Sequence, residues 1–258
     1  MIIDVNAYLG HFALRQLRHN TADALLRLMD AKGIDKAVVS SAASITYRNS
    51  QSGNEEVFGE VNTHRDRLIP FAVLNPFYAA WEDDLKVCHE EFGMRGLRLY
   101  PKWHNYALGD ACCRELIDAA TQRKMPISIP LRVEDYRQRS WLADVPDVPV
   151  SEIEELVKAH PQARFLVLNG AGYSGSPLGR KDGGLPDNYV IEISRLRALM
   201  ESDIGGLLAR LGPDRVVFGT GMPFNYPDPA LVKVQVLDAR EEVKEQIRWR
   251  NAARILGM

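Results

Sequence analysis

The 258-residue chain balances 32 Lys and Arg against 34 Asp and Glu, a formal net charge of −2 that leaves no broad field for holding nucleic acid or an anionic membrane. Hydrophobic residues at 46% and charged residues at 26% suit a globular chain with a sizeable core, not a disordered one. Three cysteines, two of them adjacent (Cys112, Cys113), make no disulfide framework. No leader pattern opens the chain, and no apolar run approaches the roughly 18 residues of a membrane span. These properties lead us to expect a cytoplasmic enzyme or binding protein.

Short apolar runs alternate with amphipathic stretches along the chain. Met1–Val5 is the first candidate strand. Thr21 to Gly33 then reads as a helix, with Thr21 as its cap and Gly33 as its stop. Lys36–Ser40, Leu68–Leu74 and Met94–Tyr100 follow as strands two to four. A helical pattern opens at Asp110, with Cys112 and Cys113 in its first turn, where they read as packing residues. Pro126–Leu131 is strand five, and a helix starting at a Ser151 cap leads to strand six, Arg164–Asn169. Tyr189–Ser194 and Arg215–Gly219 complete the series. The strands are β-branched or Leu-rich without strict polar alternation, as parallel strands buried on both faces should be.

Eight strands at roughly thirty-residue spacing, each followed by a helix, describe a single (β/α)8 TIM barrel spanning residues 1–258. A doubly wound open sheet fits less well, because no glycine-rich dinucleotide turn follows the first strand. Two loops are longer than the rest: 132–149 after strand five and 170–188 after strand six. Both leave the C-terminal ends of strands, where barrel enzymes build their sites. The second is Gly- and Ser-rich and reads either as a flexible surface loop or as a lid.

Four stretches carry a family likeness: Ile2-Ile-Asp-Val-Asn-Ala7, Gly93-Met-Arg-Gly-Leu-Arg-Leu-Tyr-Pro101, His160-Pro-Gln-Ala-Arg-Phe-Leu-Val-Leu-Asn-Gly170 and Arg215-Val-Val-Phe-Gly-Thr-Gly-Met-Pro223, with Asn251-Ala-Ala-Arg-Ile-Leu-Gly257 as a closing helix. In order and spacing they resemble the amidohydrolase-related TIM barrels, a branch that includes decarboxylases and lactone hydrolases. The resemblance implies a divalent metal held by a His-x-His pair after strand one, a His at strand five or six, and an Asp after strand eight. Here those positions hold Asn6 and Tyr8, Asn169, and Gly221. An amide is a weak zinc ligand and glycine has no side chain, so the expectation is a degenerate metal site and no cofactor. The alternative is one divalent metal such as zinc on an atypical set drawn from Asp4, His11, His104 and Glu192.

Of six histidines, His11 and His104 are expected at the upper face, and His19, His64, His89 and His160 in helices or on the lower side. His104, in Tyr100-Pro-Lys-Trp-His-Asn-Tyr106, is the candidate general acid or base, with Asp4 as a second catalytic group. Lys102, Arg132 and Arg137 follow strands four and five and suit a small anionic, carboxylate-bearing substrate, with Asn6, His11, Asn169 and Glu192 as further binding groups. The cations can equally pair with Glu134, Asp135 and Glu192 in a structural network. Arg98 can face into the barrel or out of it. Glu192 and Ser194 alternate on strand seven and so share one side. The resulting expectation is a hydrolase or a decarboxylase (a lyase) at the barrel mouth. A ligand-binding protein without turnover is the alternative, and homodimer formation is what the resemblance implies.

Overall fold

The computed structural model describes residues 1–198 and 203–258. Eight parallel strands form one sheet in sequence order: β1 (Ile3–Leu9), β2 (Lys36–Ser41), β3 (Leu68–Val73), β4 (Gly96–Arg98), β5 (Ile127–Pro130), β6 (Phe165–Leu168), β7 (Tyr189–Glu192) and β8 (Val216–Val217). The sheet closes on itself. Val5 N–H donates to the Phe218 carbonyl (3.1 Å), and Tyr8 N–H donates to Met222 O (2.9 Å). All eight predicted strands are present, and the chain is a (β/α)8 barrel.

The helices are α1 (Ala22–Lys32), α2 (Ser50–Val61), α3 (Trp81–Lys86), α4 (Ala111–Gln122), α5 (Val150–Ala159), α6 (Asp203–Arg210), α7 (Asp228–Val236), α8 (Glu241–Glu245) and α9 (Asn251–Leu256). Thr21 caps α1 by accepting from Ala24 N–H, and Gly33 ends it at φ 66°, as the sequence suggests. Ser151 is not a cap. Its helix begins one residue earlier, behind Pro149, whose fixed φ already suits that position. Cys113 packs in the core, and burial pushes its thiol up to about 12, in line with a packing role.

Among the described residues no α-helix joins β6 to β7, contrary to the regular alternation expected. The Gly- and Ser-rich segment forms three short 3₁₀ turns, Tyr173–Gly175, Pro177–Gly179 and Lys181–Gly183. Nor is it a loose loop. The Tyr173 ring is buried against Gly170, where a Cβ would come within 1.7 Å of it, and the Tyr173 hydroxyl donates to Leu168 O (3.2 Å). The Tyr189 hydroxyl pins Leu178 O from below (2.7 Å). Glycine is needed at position 170 because its backbone lies directly on an aromatic ring.

The barrel interior is layered. Ile3, Val5, Val38, Ile69, Phe71, Leu166, Leu168, Val190 and Val217 fill its lower part and rest on Ala252, Ile255 and Leu256 of α9. Tyr8, Phe12, Leu17, Ile45, Val73, Tyr100, Val133 and Phe224 form an upper, largely aromatic cluster. Between them lie the buried polar groups Asn6, Arg98, Ser128, Asn169 and Glu192. Strand β1 carries one extra residue between Asp4 and Ala7, since three steps on it match two on β2. That bulge lets Asn6 N–H turn back to Asp4 Oδ1 (2.8 Å).

Candidate active site

Asp4 is fully buried and accepts three hydrogen bonds. These come from Asn6 N–H, Thr220 N–H (3.1 Å) and the Thr220 hydroxyl (2.5 Å). Burial nevertheless dominates and lifts its carboxyl to about 7, with the neighbouring Glu192 adding to the rise. Glu192 is fully buried and faces inward. Its Oε2 accepts from Asn169 N–H (3.0 Å), the Ser194 hydroxyl (2.9 Å) and Asn6 Nδ2 (3.4 Å), and its Oε1 accepts from Ser194 N–H. Desolvation raises its pKa as well. Asn6 Nδ2 also donates to Asn169 Oδ1 (2.8 Å), and Asn169 Nδ2 donates to Arg132 O (3.0 Å). Asp4 and Asn6, within β1, and Asn169 and Glu192, at the ends of β6 and β7, therefore form one buried polar network.

A cleft of about 440 Å³ opens on the C-terminal face beside this network. Ser194 and Thr220 reach its floor, and Arg15, Arg18, Arg195, Phe224 and Asn225 line it. Two cleft hydroxyls are thus each bonded to a buried carboxylate, Ser194 to Glu192 and Thr220 to Asp4. Arg195 is the principal cation. Its Nη1 pairs with Asp135 (3.2 Å), its Nη2 donates to Asn225 Oδ1 (3.1 Å), and its buried Nε has no partner. Arg15 pairs with Glu134 (3.1 Å) and donates to Phe224 O (3.1 Å). A larger groove, about 650 Å³, lies on the flank between α1 and α2. Its walls carry Asp23, Glu55, Glu56 and Glu60, a charge that suits no carboxylate ligand.

The other expected site residues lie elsewhere. His104 is buried with Nε2 at 2.9 Å from Ser44 O, between loops that follow β2 and β4, and it does not line the cleft; desolvation lowers its pKa. His11 is exposed against Asn20 (3.4 Å) on the rim of the acidic groove. His19, expected in a helix or on the lower side, instead sits in the loop after β1 at φ 58°. Lys102 pairs with Glu152 (2.8 Å), Arg132 with Asp147 and Arg137 with Asp135 (2.8 Å), so all three are engaged in ion pairs. The side chain of Arg137 is 72% exposed and lies outside the cleft; its hydrogen bond holds the Asp135 carboxyl well below the usual range. Arg98 faces inward. Arg15, Arg18 and Arg195 escaped notice although Arg195 directly follows a strand end, the same signal that singled out Arg132.

A family model described as Amidohydrolase matches residues 198–258. No curated protein sequence matches the chain significantly. Solved structures with a similar fold include 2,6-dihydroxybenzoate decarboxylase in complex with 2,6-dihydroxybenzoate (TM-score 0.73, 17% identity, 99% of this chain and 98% of that one). A dihydroxybenzoic acid decarboxylase from Polaromonas sp. JS666, with bound manganese and the inhibitor 2-nitroresorcinol, aligns at TM-score 0.74, 17% identity and 99% and 96% coverage. The 4-oxalomesaconate hydratase of Rhodopseudomonas palustris aligns at TM-score 0.72, 17% identity and 100% and 96% coverage.

The manganese of the Polaromonas enzyme overturns the expectation of no cofactor and points to a divalent metal. The side chains of this chain do not reproduce a donor set for such an ion. Among the described residues no three His, Cys, Asp or Glu side chains converge, and the atypical set Asp4, His11, His104 and Glu192 is not assembled. Asn6 and Asn169 are bonded to each other, and the space that a side chain on Gly221 would enter is held by Asn225 Nδ2, 2.4 Å from an added Cβ. The resemblance to the amidohydrolase-related barrels is borne out by the family model over residues 198–258 and by the fold over the whole chain.

Proposed function

We propose that the chain is a decarboxylase or hydrolase of a small carboxylate-bearing molecule bound in the cleft between the β1 loop, β7 and β8. The observation that carries this reading is the pairing of two cleft hydroxyls with two buried carboxylates directly beside Arg195. Arg195 and Arg15 line the cleft and supply the donors that a carboxylate needs.

A carboxyl lifted to about 7 keeps its proton for a useful fraction of molecules at neutral pH, and such a group can act as a general acid. Proton delivery favours decarboxylation as the first reading. Asp4 passes its proton through Thr220 to the substrate carbon; a C–H bond forms as the C–carboxylate bond breaks, carbon dioxide leaves, and solvent returns the proton to Asp4. Hydrolysis is the second reading, with Glu192 drawing a proton from water through Ser194. These steps run through this chain's own side chains, since Asn6, Tyr8, Asn169 and Gly221 do not fit the ion of the neighbouring structure.

The direct test is carbon dioxide release from a panel of hydroxylated aromatic carboxylates, comparing wild type with Asp4→Asn and Arg195→Ala. The expected outcome is turnover in the wild type that falls at least a hundredfold in Asp4→Asn. Carboxylates that raise the melting temperature while yielding neither carbon dioxide nor hydrolysis product would replace this reading with that of a binding protein without turnover.

A further inference from the structure

The main cation of the cleft meets a carboxylate of its own chain. Arg195 Nη1 donates to Asp135 Oδ2 (3.2 Å), and its Nη2 donates to Asn225 Oδ1 (3.1 Å). Asp135 belongs to the long segment 132–149 between β5 and α5, which reaches the same cleft again through Gln138. The preceding residue, the buried Glu134, pairs with the second cleft arginine, Arg15 (3.1 Å). Two consecutive carboxylates of one loop thus stand on the two arginines that a bound carboxylate would seek.

The two pairs differ in what parting them would leave behind. Among the described residues Glu134 forms an ion pair with Arg15 alone, and its side chain is only 3% exposed. Asp135 has a second partner on its own segment. It accepts from Arg137 Nε (2.8 Å), Arg137 Nη2 (3.1 Å) and Arg137 N–H (3.0 Å), and Arg137 holds its carboxyl well below the usual range. Separated from Arg195, Asp135 stays ionised and paired. Arg195 stays bonded to Asn225, and an incoming carboxylate answers its charge. Breaking a buried pair is costly when it strands a charge, and this exchange strands none. The rest of the loop is tied down independently: Asp147 accepts from both Arg132 and Arg139, and Arg139 Nη1 donates to Val145 O (2.8 Å).

We propose that Asp135 is an internal substitute for the ligand's carboxylate: it latches residues 135–138 to the cleft through Arg195, and a bound carboxylate takes its place on that guanidinium and frees the segment. This inference rests on the reading of the cleft as a carboxylate site. The latch lowers the apparent affinity of the cleft by the fraction of molecules in which Arg195 is already taken. Glu134 stays on Arg15 and keeps the released segment beside the mouth.

The test is limited trypsin digestion of the full folded chain in sodium benzoate and in sodium chloride at equal ionic strength. Cleavage after Arg137 and Arg139 is read by mass spectrometry, and benzoate affinity by calorimetric titration. Benzoate is expected to speed wild-type cleavage at these two sites roughly threefold or more, where an ordinary ligand would protect them. Asp135→Asn should already be cleaved that fast in chloride and should bind benzoate about threefold tighter or better. Arg137→Gln, an exposed change that leaves Asp135 no second partner, should bind benzoate more weakly than wild type and be cleaved more slowly after Arg139. Cleavage of Asp135→Asn in chloride no faster than in wild type would overturn the latch, whatever the cleft binds. Weaker benzoate binding by Asp135→Asn would make Asp135 a group that positions Arg195 and overturn it equally. No benzoate binding, or binding that Arg195→Ala leaves unchanged, would remove the carboxylate reading of the cleft and the exchange with it.

Discussion

Replacing Asp4 with Asn should make the protein more tolerant of rising pH. In the folded state the Asp4 carboxyl is lifted from 3.8 to about 7, chiefly by desolvation. A raised pKa means that the native state holds a proton which the unfolded chain has already released. The associated stability is therefore complete below pH ~4 and is lost as pH rises toward 7. At about 1.36 kcal/mol per unit, the lift from 3.8 to about 7 corresponds to a loss of roughly 4 kcal/mol, of which about 3 kcal/mol falls between pH 5 and pH 8. Asn resembles the protonated carboxyl. Its oxygen can accept from Asn6 N–H and Thr220 N–H, and its amide can donate to the Thr220 hydroxyl, which already accepts from Met222 N–H (3.0 Å). Urea unfolding of wild type and Asp4→Asn at pH 5, 6, 7 and 8 reads the effect directly. The stability of the variant relative to wild type should grow by about 3 kcal/mol across that window. A difference that stays constant with pH would show that Asp4 ionises in the fold as it does in solution, and the proton-delivery role would go with it.

Arg195→Ala should raise KM for a carboxylate substrate roughly tenfold to a hundredfold, the worth of a lost charge-assisted pair, and leave kcat less affected in steady-state kinetics. Gly221→Asp should destabilise the fold by about 1–3 kcal/mol in urea titrations, because φ is +75° there and Asn225 occupies the side-chain space. His104→Phe should lower stability by about 1 kcal/mol, through loss of the bond to Ser44 O, while turnover stays within about threefold. A hundredfold loss of activity would instead return His104 to the chemistry.

The fold was legible in the sequence because it rests on local signals. Apolar runs such as Leu68–Val73 and Phe165–Leu168 are short, β-branched or Leu-rich and evenly spaced, and that pattern is what parallel strands buried on both faces require. The fate of each charged side chain was another matter. Lys102, Arg132 and Arg137 stand at strand ends in the sequence, but their pairing with Glu152, Asp147 and Asp135 depends on where the 132–149 loop and α5 come to rest. Arg195 and Thr220 became neighbours of one cleft only when β8 closed against β1. The raised pKa of Asp4 likewise arises from burial among strands distant in sequence. Periodicity is a property of the chain, whereas desolvation and ion pairing are properties of the packed barrel, and for that reason the architecture could be read in advance and the site could not.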